Sequence, residues 1–214
     1  MSRLLAGSSG WSYPSWRPGF YPAGARPEEL LGLYASQLPA VELNATGYRL
    51  PAEEQFRRWA DQVPDGFRFA VKAPPLAVRA PEVVIERLRA LGDRLGCVRV
   101  VLAGTCDDAL LGRLLAAFAG TRLALDIRDD SWSESAASGA VRVGDWEAEQ
   151  WCYLRFRDPP YEDPALQAIA ARVRARLDAG ADVFAFFRHE DEPTAPRDAL
   201  RLLDLVGDAD ASEG

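Results

Sequence analysis

The chain predicts an α/β fold, a compact (β/α)₈ arrangement of the TIM-barrel kind. Three observations carry that expectation. Short apolar runs alternate with helical patterns along nearly the whole length, which implies parallel strands joined by right-handed crossovers. About eight such runs occur, the number that closes a barrel. No glycine-rich phosphate fingerprint of the kind that marks the best-known open doubly wound sheets is present; Gly7-Ser8-Ser9-Gly10 has neither the spacing nor a helix directly behind it. With 214 residues the chain is shorter than the roughly 250 of a typical barrel, so reduced or missing helices are expected after strands five and six. One domain over residues 1–207 and a small, acidic, frayed tail over 208–214 complete the expected organisation.

The elements follow in order. LLAG (4–7) is a short strand, and ARPEELLGLYASQL is a helix opened by Pro27, with Leu30, Leu31, Tyr34 and Leu38 on one face. AVELNAT (40–46) reads as a strand, PAEEQFRRWADQV (51–63) as a helix, and FRFAVKA (67–73) alternates as a strand does. PEVVIERLRALGDRL (81–95) is helical and VRVVLA (98–103) the next strand. DDALLGRLLAAFA (107–119) precedes the strand RLALDIR (122–128). The segments 131–138 and 145–150 are too short and polar for full helices, and AVRVG (140–144) between them is a weak strand. WCYLRFR (151–157) is a strand, and DPALQAIAARVRARLDAG (163–180) is a helix ended by glycine. VFAFF (183–187) and the helix APRDALRLLDLV close the pattern.

Composition narrows the function classes. Asp plus Glu number 32 against 25 Lys plus Arg, a formal net charge of -7. That balance argues against duplex nucleic acid and against a membrane surface. No run of 18 apolar residues suggests a transmembrane helix. Cys97, Cys106 and Cys152 form no CxxC pair and follow no secretory signal, so reduced thiols in a cytoplasmic protein are expected.

Strand parity locates the candidate site. The helix-facing side of each strand must be apolar, so the opposite side faces the interior. Val41 and Leu43 then oppose Glu42, Asn44 and Thr46; Phe69 and Val71 oppose Arg68, Ala70 and Lys72. Leu123, Leu125 and Ile127 oppose Ala124, Asp126 and Arg128, while Cys152, Leu154 and Phe156 oppose Tyr153, Arg155 and Arg157. In the last strand either parity is open: Phe184 and Phe186 share one, Phe187 and His189 the other. Glu42, Lys72, Asp126, Arg128, Arg155 and Arg157 therefore converge near the C-terminal strand ends, where barrels build function. Buried charges must be paired or reach solvent. Here the balance is locally positive in an acidic protein. Arginine forks suit a carboxylate or phosphate, so a small anionic molecule is the expected partner.

Aromatic residues rim the same end. Trp11, Tyr13, Trp16, Phe20 and Tyr21 fall in the loop after the first strand; Tyr48, Trp132 and Trp146 follow later strands. Trp16, Phe20 and Tyr21 are expected to form a lid core. Trp11, Tyr13 and Tyr48 are equally suited to a lid or to stacking on a ligand.

The stretches GSSGWSYPSWRPGFYP (7–22), VELNATGYRLP (41–51), WADQVPDGFRFAVKAP (59–74) and LDIRDDSW (125–132) resemble the YecE-like family, also called the domain of unknown function 72. YLRFR (153–157) and PRDALRLLDL (196–205) match more loosely. The resemblance implies a TIM-barrel-like fold with a pocket at the strand ends. Its pattern falls on Trp11, Tyr13, Glu42, Asn44, Thr46, Tyr48, Lys72, Arg128, Trp132 and Arg155. It supplies no reaction. The chain departs from the pattern at VLAG (101–104), at Asp126 in place of a glutamate, at FFRHEDE and in a shortened segment after Trp132.

Three functional classes fit. In an enzyme acting on a phosphorylated or carboxylated molecule, Glu42 or Asp126 would be the general base and Lys72 an electrostatic stabiliser or Schiff-base nucleophile. Trp11, Tyr13, Asn44, Thr46, Tyr48, Arg128, Trp132, Arg155 and Arg157 would bind substrate. Hydrolase, lyase and isomerase chemistry all suit that set. A metal would draw on Glu42, Asp126 and His189, but three ligand types on separate strands are a weak signal, and no metal or other cofactor is expected. A non-enzymatic module binding a nucleotide or nucleic-acid end, or a salt-bridged interior without a ligand, is the alternative.

Overall fold

The computed structural model describes residues 2–132 and 139–207. Its strands are β1 (Leu4–Ser8), β2 (Ala40–Leu43), β3 (Arg68–Lys72), β4 (Leu95–Leu102), β5 (Leu123–Ile127), β6 (Val141–Arg142), β7 (Trp151–Phe156) and β8 (Asp182–Phe187). The helices are α1 (Leu30–Ala35), α2 (Glu53–Asp61), α3 (Leu76–Arg79), α4 (Pro81–Leu88), α5 (Asp108–Ala117), α6 (Asp163–Asp178) and α7 (Thr194–Gly207). The short helix α3 was not legible in the alternation. The expected long helix over 81–95 stops at Leu88, and 3₁₀ turns with Gly92 at φ 52° carry the chain into β4. Between β6 and β7 no helix forms. After β5 a 3₁₀ turn, Asp130–Trp132, is followed by residues 133–138, so the rest of that expected short segment lies outside the described residues, as does the 208–214 tail. No described helix is long and apolar enough to cross a membrane.

All pairings are parallel, as the alternation requires, but they form two sheets and not one closed ladder. One has the order β1-β8-β7 and the other β2-β3-β4-β5-β6. Each seam has a local cause. Strand β6 is only two residues long, and a single bridge, Val143 to Tyr153, links its end to β7. Between β1 and β2 the Tyr34 hydroxyl takes the place of a ladder. It accepts the Ser8 N–H (2.8 Å) and donates to the Ala40 carbonyl (3.1 Å). The strands still run close there. A Cβ on Gly7 would stand 1.9 Å from the Ala40 oxygen, so only glycine fits.

The two sheets share an inner core. Leu5, Tyr153, Phe184 and Phe186 from one sheet meet Ala40, Ala70, Cys97 and Ala124 from the other. Large rings on the three-stranded sheet thus fill the space left by small residues on the five-stranded one, which is how a core reaches close packing. This also settles β8: Phe184 and Phe186 point inward, while Val183, Ala185 and Phe187 join the helix-facing core. Burial of such a ring is worth roughly 1.5–3 kcal/mol.

Candidate functional site

Glu42 lies at the centre of the strand ends, wholly buried. Parity put it inward, and the donors around it come from three strands or their ends, β1, β4 and β7. Tyr153 Oη donates to Oε1 (2.6 Å), and Ser9 Oγ donates to Oε2 (2.8 Å). Arg155 Nη2 donates to Oε2 (3.0 Å). Arg99 Nε stands 2.9 Å from Oε1; it makes no directed hydrogen bond, so that contact is an ion pair. Burial alone pushes the Glu42 carboxyl up. Arg99 and Arg155, with the Tyr153 and Ser9 hydroxyls, more than offset it and hold the group below the usual carboxylate range.

Arg99 is the residue that sequence reasoning missed. It sits in the middle of β4 and is 2 % exposed. Its Nη1 also pairs with Asp126, so one guanidinium bridges the two inward carboxylates. Asp126 in turn accepts from Arg128 Nη2 (2.9 Å). The signal was available. VRVVLA holds one charge in an apolar strand, on the same parity as Cys97, and a buried arginine needs a carboxylate partner.

Lys72 ends β3 and stands apart from this network. Among the described residues it makes no ion pair, and its Nζ lies 4.8 Å from the centroid of the Tyr48 ring. Desolvation, with the nearby Arg99 charge, lowers its pKa. A Cβ on Gly47 would fall 2.5 Å from Lys72 Cδ, so the glycine makes room for the lysine stem. Lys72 lines a cavity of ≈ 460 Å³ together with Arg79, Pro74, Val101 and Gly104. Among the described residues no acidic side chain lines it.

Asn44 and Thr46 depart from the expected strand parity because β2 ends at Leu43. Asn44 (φ −80°, ψ −33°) opens a 3₁₀ turn over Ala45–Gly47. The Thr46 hydroxyl is directed to the Leu43 (2.6 Å) and Lys72 (2.8 Å) carbonyls, which ties the turn to β3. Asn44 and Thr46 line a different cavity, of ≈ 680 Å³, with Trp11, Tyr13, Arg58 and Trp59. Trp11 packs edge-on against Trp59 at 5.4 Å. The expected set therefore divides into a central ionic network and two flanking cavities.

The aromatic rim is largely core. Trp16 and Tyr21 are buried, with Phe20 packed at their edges. Tyr13 donates to the Ser9 carbonyl (2.9 Å) and stacks on His189 at 4.6 Å. Desolvation, then the Glu42 charge, pushes its hydroxyl up to about 12. Trp132 is buried and donates from Nε1 to the Gly104 carbonyl (2.6 Å), a packing role in place of an open ligand face. Trp146 lies under Arg172, 4.1 Å away. Tyr48 alone of the rim is freely presented, 79 % exposed. Arg157 lies one residue beyond β7 and is exposed.

His189 does not join Glu42 and Asp126. Its ring stacks on Tyr13, and desolvation, then Arg188, lowers its pKa. Among the described residues no group of three or more His, Cys, Asp or Glu side chains could hold a metal ion. Among the described residues no disulfide joins Cys97, Cys106 and Cys152, and Cys97 and Cys152 are buried.

No curated protein matches the chain. Among solved structures, a DUF72 family protein from Enterococcus faecalis V583 superposes with a TM-score of 0.77 at 16% identity, covering 97% of this chain and 98% of that one. A DUF72 family protein from Thermotoga maritima MSB8 gives 0.78 at 19% identity, covering 96% and 99%. At such identities the likeness is one of fold. The family model for "Protein of unknown function DUF72" matches residues 5–143, well over half of the chain, and the chain belongs to that family.

Proposed function

We propose that the C-terminal strand ends bind a small anionic molecule through a phosphate or carboxylate, within a barrel-like domain whose wall is the two sheets taken together. One observation carries the reading. Among the described residues, Lys72, Arg99, Arg128 and Arg155 face only two carboxylates, Glu42 and Asp126, and the cation left without an ion-pair partner, Lys72, opens with Arg79 on a cavity that has no acid in its wall. An anion there removes the imbalance. The exposed Tyr48 ring beside Lys72 offers a face for the organic body of the ligand.

In this reading Glu42 and Asp126 are counter-ions, not general bases. Glu42 already receives three hydrogen bonds and an ion pair, which leaves it little capacity to take a proton from a substrate. Lys72 is the group placed to act on a ligand, as an electrostatic stabiliser. Calorimetric titration with phosphate, sulfate and a panel of small carboxylates and phosphate esters tests the proposal. Lys72→Gln should weaken the best binder roughly tenfold. The control Arg174→Gln, on α6 and outside the cavity that Lys72 lines, should leave affinity unchanged. A panel in which nothing binds the parent protein, or Lys72→Gln binding as the parent does, overturns it.

A further inference from the structure

The opposite end of the strands carries a second concentration of arginine. A cavity of ≈ 880 Å³ opens at the N-terminal strand ends, lined by Arg3, Arg68, Arg89, Arg94 and Arg122 and by Asp65, Asp93 and Asp182. Five guanidinium groups face three carboxylates in the wall, and Glu86 just outside it pairs with Arg89, so one positive charge is left over, in a chain whose net charge is -7. The pairing is uneven. Arg94 pairs with Asp65, Arg122 with Asp182 and Arg89 with Glu86. Among the described residues Arg3 and Arg68 have no carboxylate ion-pair partner. The Arg3 guanidinium donates only to the Gly66 carbonyl (2.9 Å), and Arg68 only to the Asp65 (2.7 Å) and Phe67 (2.8 Å) carbonyls. Arg94 Nε is buried without an acceptor.

The surroundings hold these groups in place. Arg122 lies over the Trp151 and Phe184 rings, 5.8 and 5.6 Å from their centroids, and Asp182 also accepts the Arg3 backbone N–H (2.7 Å). Gly96 lets Arg68 approach the inner core, since a Cβ there would stand 2.9 Å from both Arg68 Cβ and Phe184 Cε1. Desolvation, followed by the charges of Arg3 and Arg94, lowers the Arg68 pKa, as expected of like charges drawn together.

We propose that this end of the molecule is a second binding site, for a phosphorylated small molecule whose phosphoryl dianion is held by Arg3 and Arg68. A phosphoryl group at neutral pH carries close to two negative charges, which suits the two guanidinium groups held by backbone carbonyls, Arg3 and Arg68, and its oxygens match guanidinium forks. The volume exceeds what a phosphate fills, and Leu5 and Ile85 in the wall suit an organic remainder.

Pyrophosphate titrated calorimetrically into the full chain tests this, with Lys72→Gln used to silence the strand-end site on the other face. Binding should persist in Lys72→Gln and weaken roughly tenfold or more when Arg68→Gln is added. Arg68 anchors only backbone carbonyls, so its loss should leave the melting temperature close to the parent's. Arg3→Gln is the second variant if Arg68→Gln does not fold, and it should weaken binding in the same way. Absence of pyrophosphate binding in Lys72→Gln overturns this site while leaving the Lys72 site standing. Binding that survives both Arg3→Gln and Arg68→Gln overturns it as well. Binding indifferent to Lys72 but lost with Arg68 supports this site and counts against the other.

Discussion

Removing Arg99 should expose how the interior charges are balanced. Arg99 is 2 % exposed and pairs with Glu42 and Asp126, whose side chains are 0% and 8% exposed, so solvent screens these contacts little. In Arg99→Met, Glu42 keeps Arg155, which is itself mostly buried. Asp126 keeps only Arg128, whose side chain is 46% exposed. Breaking a buried pair costs about 3–5 kcal/mol, and the surviving partners place this case near 3 kcal/mol. For a chain of this length that is a fall in melting temperature of roughly 6–12 °C. The loss should depend on pH. Glu42 titrates lower in the folded state than unfolded, so its contribution is present above its unfolded value of about 4.3 and is lost as pH falls through the folded value. Without Arg99 the folded-state value rises, so the gap between parent and variant is widest near neutrality and narrows on acidification. Arg99→Lys should fall between the two, since one ammonium cannot span both carboxylates. Urea unfolding at pH 7 and pH 4 measures this. A gap below 1 kcal/mol at pH 7, or one of equal size at both pH values, would refute the reasoning.

Tyr153→Phe removes a hydroxyl from buried Glu42 and should cost about 1–3 kcal/mol of unfolding free energy in urea; an unchanged midpoint would mean the bond contributes nothing. Gly7→Ala places a methyl 1.9 Å from the Ala40 carbonyl and should destabilise by roughly 1–3 kcal/mol or more, read as a lower melting temperature. Thiol titration of the native protein should show Cys106 reacting first and the buried Cys97 and Cys152 slowly, with three thiols titrating after denaturation; fewer than three would contradict cysteines held reduced without a disulfide.

The strands and most helices were legible because parallel strands and amphipathic helices write different periods. The inward side of β2, β3, β5 and β7 followed from the apolar side alone, which is why Glu42, Lys72, Asp126 and Arg155 were found. Arg99 was not, because it lies mid-strand, away from the strand ends where barrels gather their functional charges. Asn44 and Thr46 were placed wrongly because period-two alternation continues past Leu43 while the backbone already turns. The two-sheet arrangement could not be read at all. It depends on a tyrosine hydroxyl from α1 reaching a seam between β1 and β2, a tertiary contact with no local pattern. Trp132 illustrates the limit of composition. A tryptophan after a strand end looks like a ligand face, and only its acceptor, the Gly104 carbonyl, shows that it is packing.

The pairing of β1 with β8 alone sets the order in which the molecule can assemble. Among the described residues, Leu4–Ser8 has no other ladder partner, and its register joins Leu4 to Val183. Closing a chain segment of that length costs about 4–5 kcal/mol of loop entropy before any contact repays it. The strands β2 to β5 are sequence neighbours and can join without that delay. During synthesis β1 therefore waits for β8, which follows it in the chain. Until then Glu42 and Arg99 face one another without Ser9, Tyr153 and Arg155, so the ionic centre is completed only when the second sheet docks. Pulse-labelled hydrogen exchange would register this as early protection of Val98, Val100 and Leu125 and late protection of Ala6.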